Sequence, residues 1–405
     1  MLKIRKLSVL GAVVLACTPK LSDFAASESM GENTSDTTSG GVPGACGDGQ
    51  PAAEVYCFSF HNISSVRSPK LAVSGNFTGA PPERLAAFGL GHTGAMVWWE
   101  NGALLSAKAL PPLTASGESQ GVAVNAAGTS HPDLLFTDIL TAGIAPSDGE
   151  ELKPFVPIGL PDSATGSPGH TIPLDLSEDG TIEYVKGSGA RAAVWRKVLD
   201  KWEMDAVDFP VPGCEVLMNF ALADFDDDGR TDLAYIGEAS TDGPAKCEDL
   251  AVHGIVVLLQ NELAGLTMTP MISTGQHRFL RVRAGDFDAD GRSDLSALTT
   301  SGDLLVFRAG GQGLFDPPHI VEGIADYAVG DVDGDGQAEI VVSKKDDQSV
   351  FVVDRIFEGV KIAELDDIKA VPLSVGDLNH DGVGDIALMS QTDDVTILTV
   401  AVSNP

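Results

Sequence analysis

Short apolar runs separated by turn-forming residues dominate most of the chain. In one representative stretch, apolar runs occupy residues 279–284, 295–298 and 304–308, and a fourth apolar segment lies near Ile320. Runs of this length, bounded by glycine and polar residues, predict β-strands. Apolar positions with helical spacing are nearly absent. The pattern therefore predicts an all-β protein assembled from units of four strands.

A ten-residue acidic segment recurs between these apolar runs. Residues 224–233 read DFDDDGRTDL, residues 286–295 read DFDADGRSDL, residues 331–340 read DVDGDGQAEI and residues 377–386 read DLNHDGVGDI. Acids, or in one case an amide, stand at positions 1, 3, 5 and 9, and a glycine stands at position 6. Carboxylates at alternate positions of a loop can face one point, and glycine permits the sharp turn. The segments predict loops that bind a hard cation, although a single acidic loop of this kind is often only a solvated turn.

Weaker copies of the segment precede the four strong ones. Residues 175–183 read DLSEDGTIE and keep acids at positions 1, 5 and 9, whereas residues 125–133 keep only Asn125 and Asp133. A copy beginning at Asn76 keeps the apolar frame without the acids. The seven copies begin at residues 76, 125, 175, 224, 286, 331 and 377 and are spaced by 45 to 62 residues. The longest spacing places an insertion in the fourth unit.

Seven units of four strands predict a seven-bladed β-propeller. A solenoid is the alternative, but it needs no closure, and closure is visible in this sequence. The last unit ends one strand short, and residues 54–61 provide a spare strand before the first unit. This strand can complete the last blade and remove open sheet edges.

The motif G-D-hydrophobic-D-x-D-G-x-x-D-hydrophobic resembles the FG-GAP or VCBS repeat of the integrin α-subunit propeller and of many exported bacterial proteins. Residues 285–295, 330–340 and 376–386 match it closely, and residues 224–233 match except that Ala223 stands where glycine is usual. The resemblance implies that the loop joins the first two strands of a blade and binds calcium on one rim. An EF-hand is excluded because position 12 is Tyr, Ala, Val or Leu inside a strand-like run, not a bidentate Glu.

Calcium is the expected cofactor, because the donors are numerous oxygens and Mg²⁺ prefers fewer protein ligands. The ligands predicted by position are Asp224, Asp226, Asp228, Asp232, Asp286, Asp288, Asp290, Asp294, Asp331, Asp333, Asp335, Glu339, Asp377, Asn379, Asp381 and Asp385. Position 7 would add carbonyls from Arg230, Arg292, Gln337 and Val383. A candidate fifth metal site consists of Asp175, Asp179 and Glu183.

Composition agrees with a folded acidic protein. The chain has 405 residues, 43% of them hydrophobic, and a formal net charge of −32. Such acidity argues against nucleic acid or an anionic membrane surface as a partner. It could serve solubility alone, but the repeated loops indicate that many acids are cation ligands.

The N-terminus is predicted to be a targeting segment. Residues 1–16 contain three basic residues and an apolar run too short to span a bilayer, and they end before Cys17. The sequence Val14-Leu15-Ala16-Cys17 resembles the lipobox of bacterial lipoproteins, in which the cysteine is lipidated; the alternative is an ordinary signal peptide cut elsewhere. Because Thr18 and not Asp follows the cysteine, the resemblance implies an outer-membrane lipoprotein.

A flexible linker is predicted between this anchor and the propeller. Residues 17–45 include a Ser-, Thr- and Gly-rich stretch with nothing to bury, and residues 46–405 form the propeller domain. The chain is thus expected to contact the membrane through its lipid anchor only.

Four further cysteines, Cys46, Cys57, Cys214 and Cys247, suggest two disulfides in an exported protein. Three pairings are possible. Pairing of Cys46 with Cys57 and of Cys214 with Cys247 is favoured because the members of each pair are close in sequence. A metal or redox site is the alternative, but no C-x-x-C spacing supports it.

No catalytic motif stands out, and the eight histidines are scattered. The sequence therefore predicts a non-catalytic binding or scaffold module with an unknown protein or glycan ligand and no nucleic-acid partner. A carbohydrate-binding lectin is the first alternative, although tryptophans do not recur in each unit. A polysaccharide-acting enzyme on the same scaffold is the second. The integrin resemblance does not imply integrin function, since neither an inserted adhesion domain nor a transmembrane helix is apparent.

Overall fold

A computed structural model describes the strand-rich part of the chain. It covers residues 4–5, 56–78, 82–90, 93–110, 119–124, 131–138, 141–161, 170–177, 179–188, 191–199, 201–207, 215–239, 254–262, 265–270, 272, 278–357, 360–392 and 395–404. All regular elements in these ranges are β-strands, as the apolar runs predict. Within the same ranges, no helix has the length and apolar character needed to cross a lipid bilayer.

Four sheets contain four consecutive antiparallel strands each, and neighbours in sequence are neighbours in the sheet. The first contains β3 (Pro69–Gly75), β4 (Arg84–Gly89), β5 (Gly94–Glu100) and β6 (Ala103–Ala109). The second contains β7 (Gln120–Val124), β8 (Asp133–Thr137), β9 (Ala142–Ala145) and β10 (Val156–Pro157). The third contains β11 (Ile172–Leu174), β12 (Glu183–Ser188), β13 (Arg191–Val198) and β14 (Lys201–Val207). The fourth contains β15 (Glu215–Ala223), β16 (Asp232–Ala239), β17 (Gly254–Gln260) and β18 (Leu266–Met268).

The fifth sheet has the same core of four strands with one addition at its edge. It contains β19 (Phe279–Gly285), β20 (Asp294–Thr299), β21 (Asp303–Phe307) and β24 (His319–Glu322), and β1 (Ile4–Arg5) pairs with β24. A small hairpin of β22 (Ala309–Gly311) and β23 (Leu314–Phe315) interrupts the unit. These five sheets are the separate blades of a β-propeller.

The prediction of seven separate blades is wrong, because the last two units form one seven-stranded sheet. Its strands are β25 (Ile324–Gly330), β26 (Glu339–Lys344), β27 (Ser349–Asp354), β28 (Lys361–Gly376), β29 (Asp385–Thr392), β30 (Val395–Ser403) and β2 (Phe58–Arg67). The physical cause is β28, a single strand of 16 residues. Its first part pairs with β27, and residues 370–376 pair with β29, so the hydrogen-bonded ladder runs through both units.

The spare N-terminal strand is observed as β2, shifted toward the C-terminus of the predicted segment 54–61. β2 lies antiparallel beside β30, with register pairs from Phe58–Ser403 to Ile63–Leu398 and a further pair at Arg67. The first unit of the sequence thus begins next to the last strand of the chain.

The core lies between adjacent sheets. The apolar residue at position 2 of each strong acidic segment is buried there, as Phe225 and Phe287 illustrate. Phe225 packs in a cluster shared by the fourth and fifth sheets, and Phe287 in one shared by the fifth and the seven-stranded sheets. Each acidic loop is therefore anchored to the unit that follows it.

Close packing explains the glycine that precedes three of the strong acidic segments, at Gly285, Gly330 and Gly376. A Cβ atom at Gly285 would lie 2.7 Å from Val329 Cγ1, and one at Gly330 would lie 2.5 Å from Val375 Cγ1. At Gly376 the nearest atom would be Ser74 Cβ, at 2.3 Å. Glycine at this position lets the first strand of one unit approach that of the next, and the seventh unit approaches the first in the same way.

Several sequence predictions fall outside the described residues. They concern the lipidated Cys17, the linker, Asn125, and the cysteines Cys46, Cys214 and Cys247. Cys57 lies within the described part and is buried. The predicted disulfide pairing stays a prediction.

Candidate metal centres

The four strong acidic segments form the connections between the first two strands of their units, as the repeat resemblance implies. We name them loop 4 (residues 224–233), loop 5 (286–295), loop 6 (331–340) and loop 7 (377–386), and the weaker segment loop 3 (175–183). In every case position 9 is the first residue of the second strand, for example Asp232 in β16 and Asp294 in β20. The two strands therefore hold both ends of each loop.

In three loops the carboxylates at positions 1, 3 and 9 converge. The three groups are Asp224, Asp226 and Asp232; Asp286, Asp288 and Asp294; and Asp331, Asp333 and Glu339. Within each group, one ligand atom from every side chain lies within 4.8 Å of the others. Calcium–oxygen distances of about 2.3 to 2.6 Å place two ligands of one ion at most about 5.2 Å apart, so each group meets the geometric requirement.

Orphaned oxygen atoms strengthen the fit of a cation to these groups. Asp226 Oδ1 and Glu339 Oε1 are buried and receive no hydrogen bond from any described residue. A buried carboxylate oxygen without a donor is costly unless a cation or a proton neutralises it. Oxygen-only donors of this kind suit calcium better than soft metals.

The carboxylate at position 9 has a second role that the sequence did not reveal. Asp294 accepts the N–H of Phe287 at 3.0 Å with one oxygen and the N–H of Ala309, beyond the third strand, at 2.7 Å with the other. Asp232 likewise accepts the N–H groups of Phe225 and Gln260, both at 2.8 Å. This carboxylate therefore bridges the loop and the end of the third strand in addition to facing the cluster.

Burial perturbs these bridging carboxylates. Desolvation raises the pKa of Asp232, Asp294 and Asp385 to about 7, and hydrogen bonds from backbone N–H groups oppose the shift in each case. Desolvation raises the pKa of Glu339 to about 9, and the nearby charges of Asp333 and Asp331 add to the shift. Without a cation, these loops hold more negative charge than their surroundings stabilise.

The carboxylate at position 1 organises the turn. Its oxygen accepts the N–H of the position 6 glycine in every loop, from Gly229 to Asp224 at 2.7 Å and from Gly291 to Asp286 at 2.8 Å. The glycine has a positive φ, for example 84° at Gly229. Position 4 is also left-handed, with φ between 56° and 64° at Asp227, Ala289 and His380. The sequence indicated the turn at position 6 but not the one at position 4.

The carboxylate at position 5 does not join the clusters, although the sequence assigned it as a ligand. It accepts the N–H of position 7 instead, at 2.9 Å in Asp228 and 3.0 Å in Asp290. In loops 4 and 5 the arginine at position 7 also forms an ion pair with it, Arg230 with Asp228 and Arg292 with Asp290. The position 5 carboxylate thus stabilises a local turn in this structure.

Loop 7 differs because an amide replaces the carboxylate at position 3. Asn379 Nδ2 donates to Asp381 Oδ2 at 2.7 Å and to the carbonyl of Ser403 at 3.0 Å. Asp385 still accepts the N–H groups of Leu378 and Ser403, both at 2.7 Å. Loop 7 keeps the bridge but has fewer charges to offer a cation.

Loop 3 repeats the backbone pattern without the full cluster. Glu183 accepts the N–H of Leu176 at 2.8 Å, and Asp175 accepts that of Gly180 at 3.0 Å. Position 3 is Ser177, and Asp179 is engaged with the N–H of Thr181. The candidate fifth site therefore places two carboxylates, Asp175 and Glu183, in the positions that face the ion in the strong loops.

The earliest units show what remains when the acids are lost. In the second unit, the fully buried Asp133 accepts the N–H of Ser147 at 2.9 Å, which is the position 9 bridge without a complete acidic loop. In the first unit, Arg84 stands at position 9 and donates to the carbonyl of Glu150 at 3.0 Å. Its guanidinium lies 5.6 Å from the centre of the Trp98 ring.

Neighbouring loops are joined by a recurring hydrogen bond. The N–H at position 8 donates to the carbonyl at position 1 of the preceding unit, from Ala338 to Asp286 at 2.8 Å and from Gly384 to Asp331 at 2.7 Å. The same bond runs from Glu83 in the first unit to Asp377 in the seventh, at 3.3 Å. Displacement of one loop must therefore disturb the next.

Comparison with known proteins agrees with this architecture. The family model for the FG-GAP-like repeat matches residues 286–342, which include loops 5 and 6. No curated protein matches the chain.

Two solved structures resemble the chain in fold. One, titled as the crystal structure of BBS1N in complex with ARL6DN, soaked with lead, has a TM-score of 0.53 and 11% identity over 87% of this chain and 97% of that chain. Another, titled as the structural basis of recognition of non-reducing terminal N-acetylglucosamine by an Agrocybe aegerita lectin, has a TM-score of 0.47 and 15% identity over 84% and 92%. At 11% identity the first likeness concerns the fold alone, and the second, with a TM-score below 0.5, supports no argument. Residues 286–342 thus carry the FG-GAP-like repeat within a chain that folds as a β-propeller.

Proposed function

We propose that the protein is a calcium-stabilised β-propeller that acts as a non-catalytic binding or scaffold module. We further propose that it is exported and held at the bacterial cell envelope, in the outer membrane, by a lipid on Cys17. The observation that supports the calcium role is the convergence of three carboxylates in each of loops 4, 5 and 6. The lipobox resemblance supports the anchor.

Calcium would be held by the residues at positions 1, 3 and 9. In loop 4 these are Asp224, Asp226 and Asp232, and in loop 6 the acid at position 9 is Glu339. When bound, the ion supplies the positive charge that allows these crowded carboxylates to stay ionised. The chain itself fixes the loop through the N–H groups that donate to positions 1 and 9.

The bonds between neighbouring loops make this stabilisation collective. Because position 8 of one loop donates to position 1 of the preceding loop, ordering one loop restrains its neighbour. The loops lie on one rim, since each follows the first strand of its unit. A rigid rim of this kind is suited to present variable side chains to a protein or glycan ligand.

Closure of the propeller is part of the proposal. The pairing of β2 with β30 supports it, as does the close approach of Gly376 to Ser74. In a closed propeller the first and last units hold each other, so the weak first unit is stabilised by the strong seventh.

Calcium titration of the purified, EDTA-treated full-length protein tests the metal role. We expect binding to be accompanied by a higher melting temperature, and the double change Asp286→Asn with Asp288→Asn to remove one site. Asp316→Asn is the matched control, since Asp316 is exposed and lies outside every loop. A melting temperature that does not change with calcium or EDTA would contradict the proposal.

The ligand class is tested by a pull-down and a glycan array on the calcium-loaded protein. Capture of a defined protein partner supports the scaffold role. Selective binding of one glycan class would instead identify a lectin, and turnover of a polysaccharide would overturn the non-catalytic proposal.

A further inference from the structure

A cavity of about 500 Å³ lies where the first strands of six units meet. Its lining residues come from β3, β7, β15, β19, β25 and β28, or directly precede them. Cavities of this volume commonly hold small molecules. The cavity is separate from the acidic loops, because none of the predicted metal ligands lines it.

The charge of the cavity is opposite to that of the protein. Lys70, Arg281 and Arg283 line it, and its described lining includes no carboxylate, whereas the chain as a whole has a net charge of −32. Arg281 is neutralised, since its Nε lies 2.9 Å from Asp326 Oδ1. The cavity therefore concentrates positive charge in an acidic molecule.

Arg283 is a lining cation that forms no ion pair with a described carboxylate, and the same holds for Lys70. Within the described ranges no acid lies at ion-pair distance from Arg283, and its guanidinium lies 6.0 Å from the centre of the Tyr327 ring. Burial lowers the pKa of Arg283, and the nearby charge of Arg281 lowers it further, whereas Tyr327 and Asp326 raise it. Because Asp326 is paired with Arg281, it compensates the partly buried guanidinium of Arg283 only in part, and an anion in the cavity would improve this balance.

A neutral donor lies at the same level of the cavity. Ser374 and Arg283 each stand two residues before the glycine that precedes an acidic loop, Gly376 and Gly285. Ser374 Oγ is buried and has no hydrogen-bond partner among the described residues. Ser374 thus lines the cavity at the level of Arg283, but its hydroxyl oxygen is not accessible from the cavity.

The rest of the wall is mixed in character. Val73, Val122 and Leu222 line it together with Ser74 and Gln120. The aliphatic side chains give an organic ligand contacts that a small inorganic ion cannot make. A planar guanidinium also matches a carboxylate, which can accept two parallel N–H bonds.

We propose that this central cavity binds a small organic carboxylate. The carboxylate lies against Arg283, and the apolar body of the ligand lies against the aliphatic side chains of the wall. The proposal deepens the binding role proposed above by naming a ligand class, but it does not depend on calcium.

The test is a calorimetric titration of the full-length protein with benzoate and with benzamide, a neutral analogue of the same size. We expect benzoate to bind wild-type protein at least about tenfold more tightly than benzamide, since one charged hydrogen-bonded pair is worth about 1.5 to 3 kcal/mol. Arg283→Met should weaken benzoate binding at least about tenfold, whereas Ser374→Ala should change it little because the Ser374 hydroxyl is not accessible from the cavity. Arg67→Met, the same substitution at an exposed arginine outside the cavity, should leave binding unchanged.

Stability measurements separate a binding role from a structural one. Without ligand, Arg283→Met should melt at or above the wild-type temperature, because an unpaired buried charge has been removed. A lower melting temperature for Arg283→Met together with unchanged benzoate affinity of that variant would overturn the proposal. So would equal binding of benzoate and benzamide, or no binding of benzoate to the wild type. Calcium titrations of the same variants identify a failure of the calcium proposal independently.

Discussion

The first three units and the last four units build similar sheets from different loops. In the second unit, Asp133 accepts the N–H of Ser147, which lies beyond the third strand. In the fifth unit, Asp294 accepts the N–H of Ala309 at the equivalent position. Among the described residues, however, three carboxylates converge only in loops 4, 5 and 6. The comparison teaches that the acid at position 9 serves the fold as well as the candidate cation site, and that the site also needs acids at positions 1 and 3.

The first unit lacks even the acid at position 9. Arg84 replaces the position 9 acid, yet β3 and β4 still pair and the unit still donates from Glu83 to the seventh unit. Strand pairing and burial are thus sufficient to form this blade. The early units are accordingly the place where the rim can vary without loss of a metal site.

The largest expected contrast between the halves is the response of the metal-free protein to pH. The pKa values of Asp232, Asp294 and Asp385 are raised to about 7 and that of Glu339 to about 9. A group whose pKa is raised by folding stabilises the protein fully below its unfolded pKa and loses that contribution as pH rises through the folded pKa. In EDTA, the free energy of unfolding should therefore fall between pH 5 and pH 9. A shift of about 3 units corresponds to about 4 kcal/mol per group as an upper limit.

Urea unfolding at a series of pH values measures this effect. Calcium should abolish the decline, and Glu339→Gln should reduce it in EDTA because the substituted amide does not titrate. A metal-free protein that becomes more stable between pH 5 and pH 9 would show that these carboxylates are not the destabilising groups.

Removal of the position 9 carboxylate should have the next largest effect on the free energy of unfolding. Asp294→Ala leaves the N–H groups of Phe287 and Ala309 without acceptors and should lower the free energy of unfolding by about 3 kcal/mol in EDTA. Asp133→Ala should also destabilise the protein, although its unit lacks an acid cluster. The control Asp290→Ala, at position 5 of the same loop, should cost about 1 kcal/mol or less. Equal losses for Asp294→Ala and Asp290→Ala would show that the bridge has no special role.

A substitution that disturbs the contact between the seventh and first units should reduce stability by a smaller amount. Gly376→Ala places a Cβ atom 2.3 Å from Ser74 Cβ and should destabilise the protein by about 2 kcal/mol. Gly159→Ala is the control, because no heavy atom lies within 4 Å of its added Cβ. Thermal unfolding of the two variants should differ clearly; if both match the wild type, the two terminal units do not depend on this contact.

Much of the fold follows from local sequence. The apolar runs near residues 295–298 and 304–308 become β20 and β21, and each acidic segment connects the first two strands of a unit. These features depend on residues that are close in the chain, so pattern and turn chemistry specify them. The number of separate blades does not follow in this way, because it depends on β28 pairing on both sides.

The candidate sites, like the fold, could be predicted only in part from the sequence. The acids at positions 1, 3 and 9 could be found from spacing, but the hydrogen bonds from the position 7 N–H groups to Asp228 and Asp290 could not. The ion pair between Arg308 and Asp288 could not be predicted from spacing either. The central cavity escaped sequence reasoning entirely, because Arg283 and Ser374 lie on strands of different units and no motif marks them.

Hydrogen–deuterium exchange with and without calcium tests the central claim most directly. The account predicts that calcium slows amide exchange in loops 4, 5 and 6, where N–H groups such as that of Gly229 are fixed by a position 1 carboxylate. It predicts little change at β4 and β8, which belong to units without converging acids. Uniform protection across both halves, or no protection of loops 4, 5 and 6, would contradict the account.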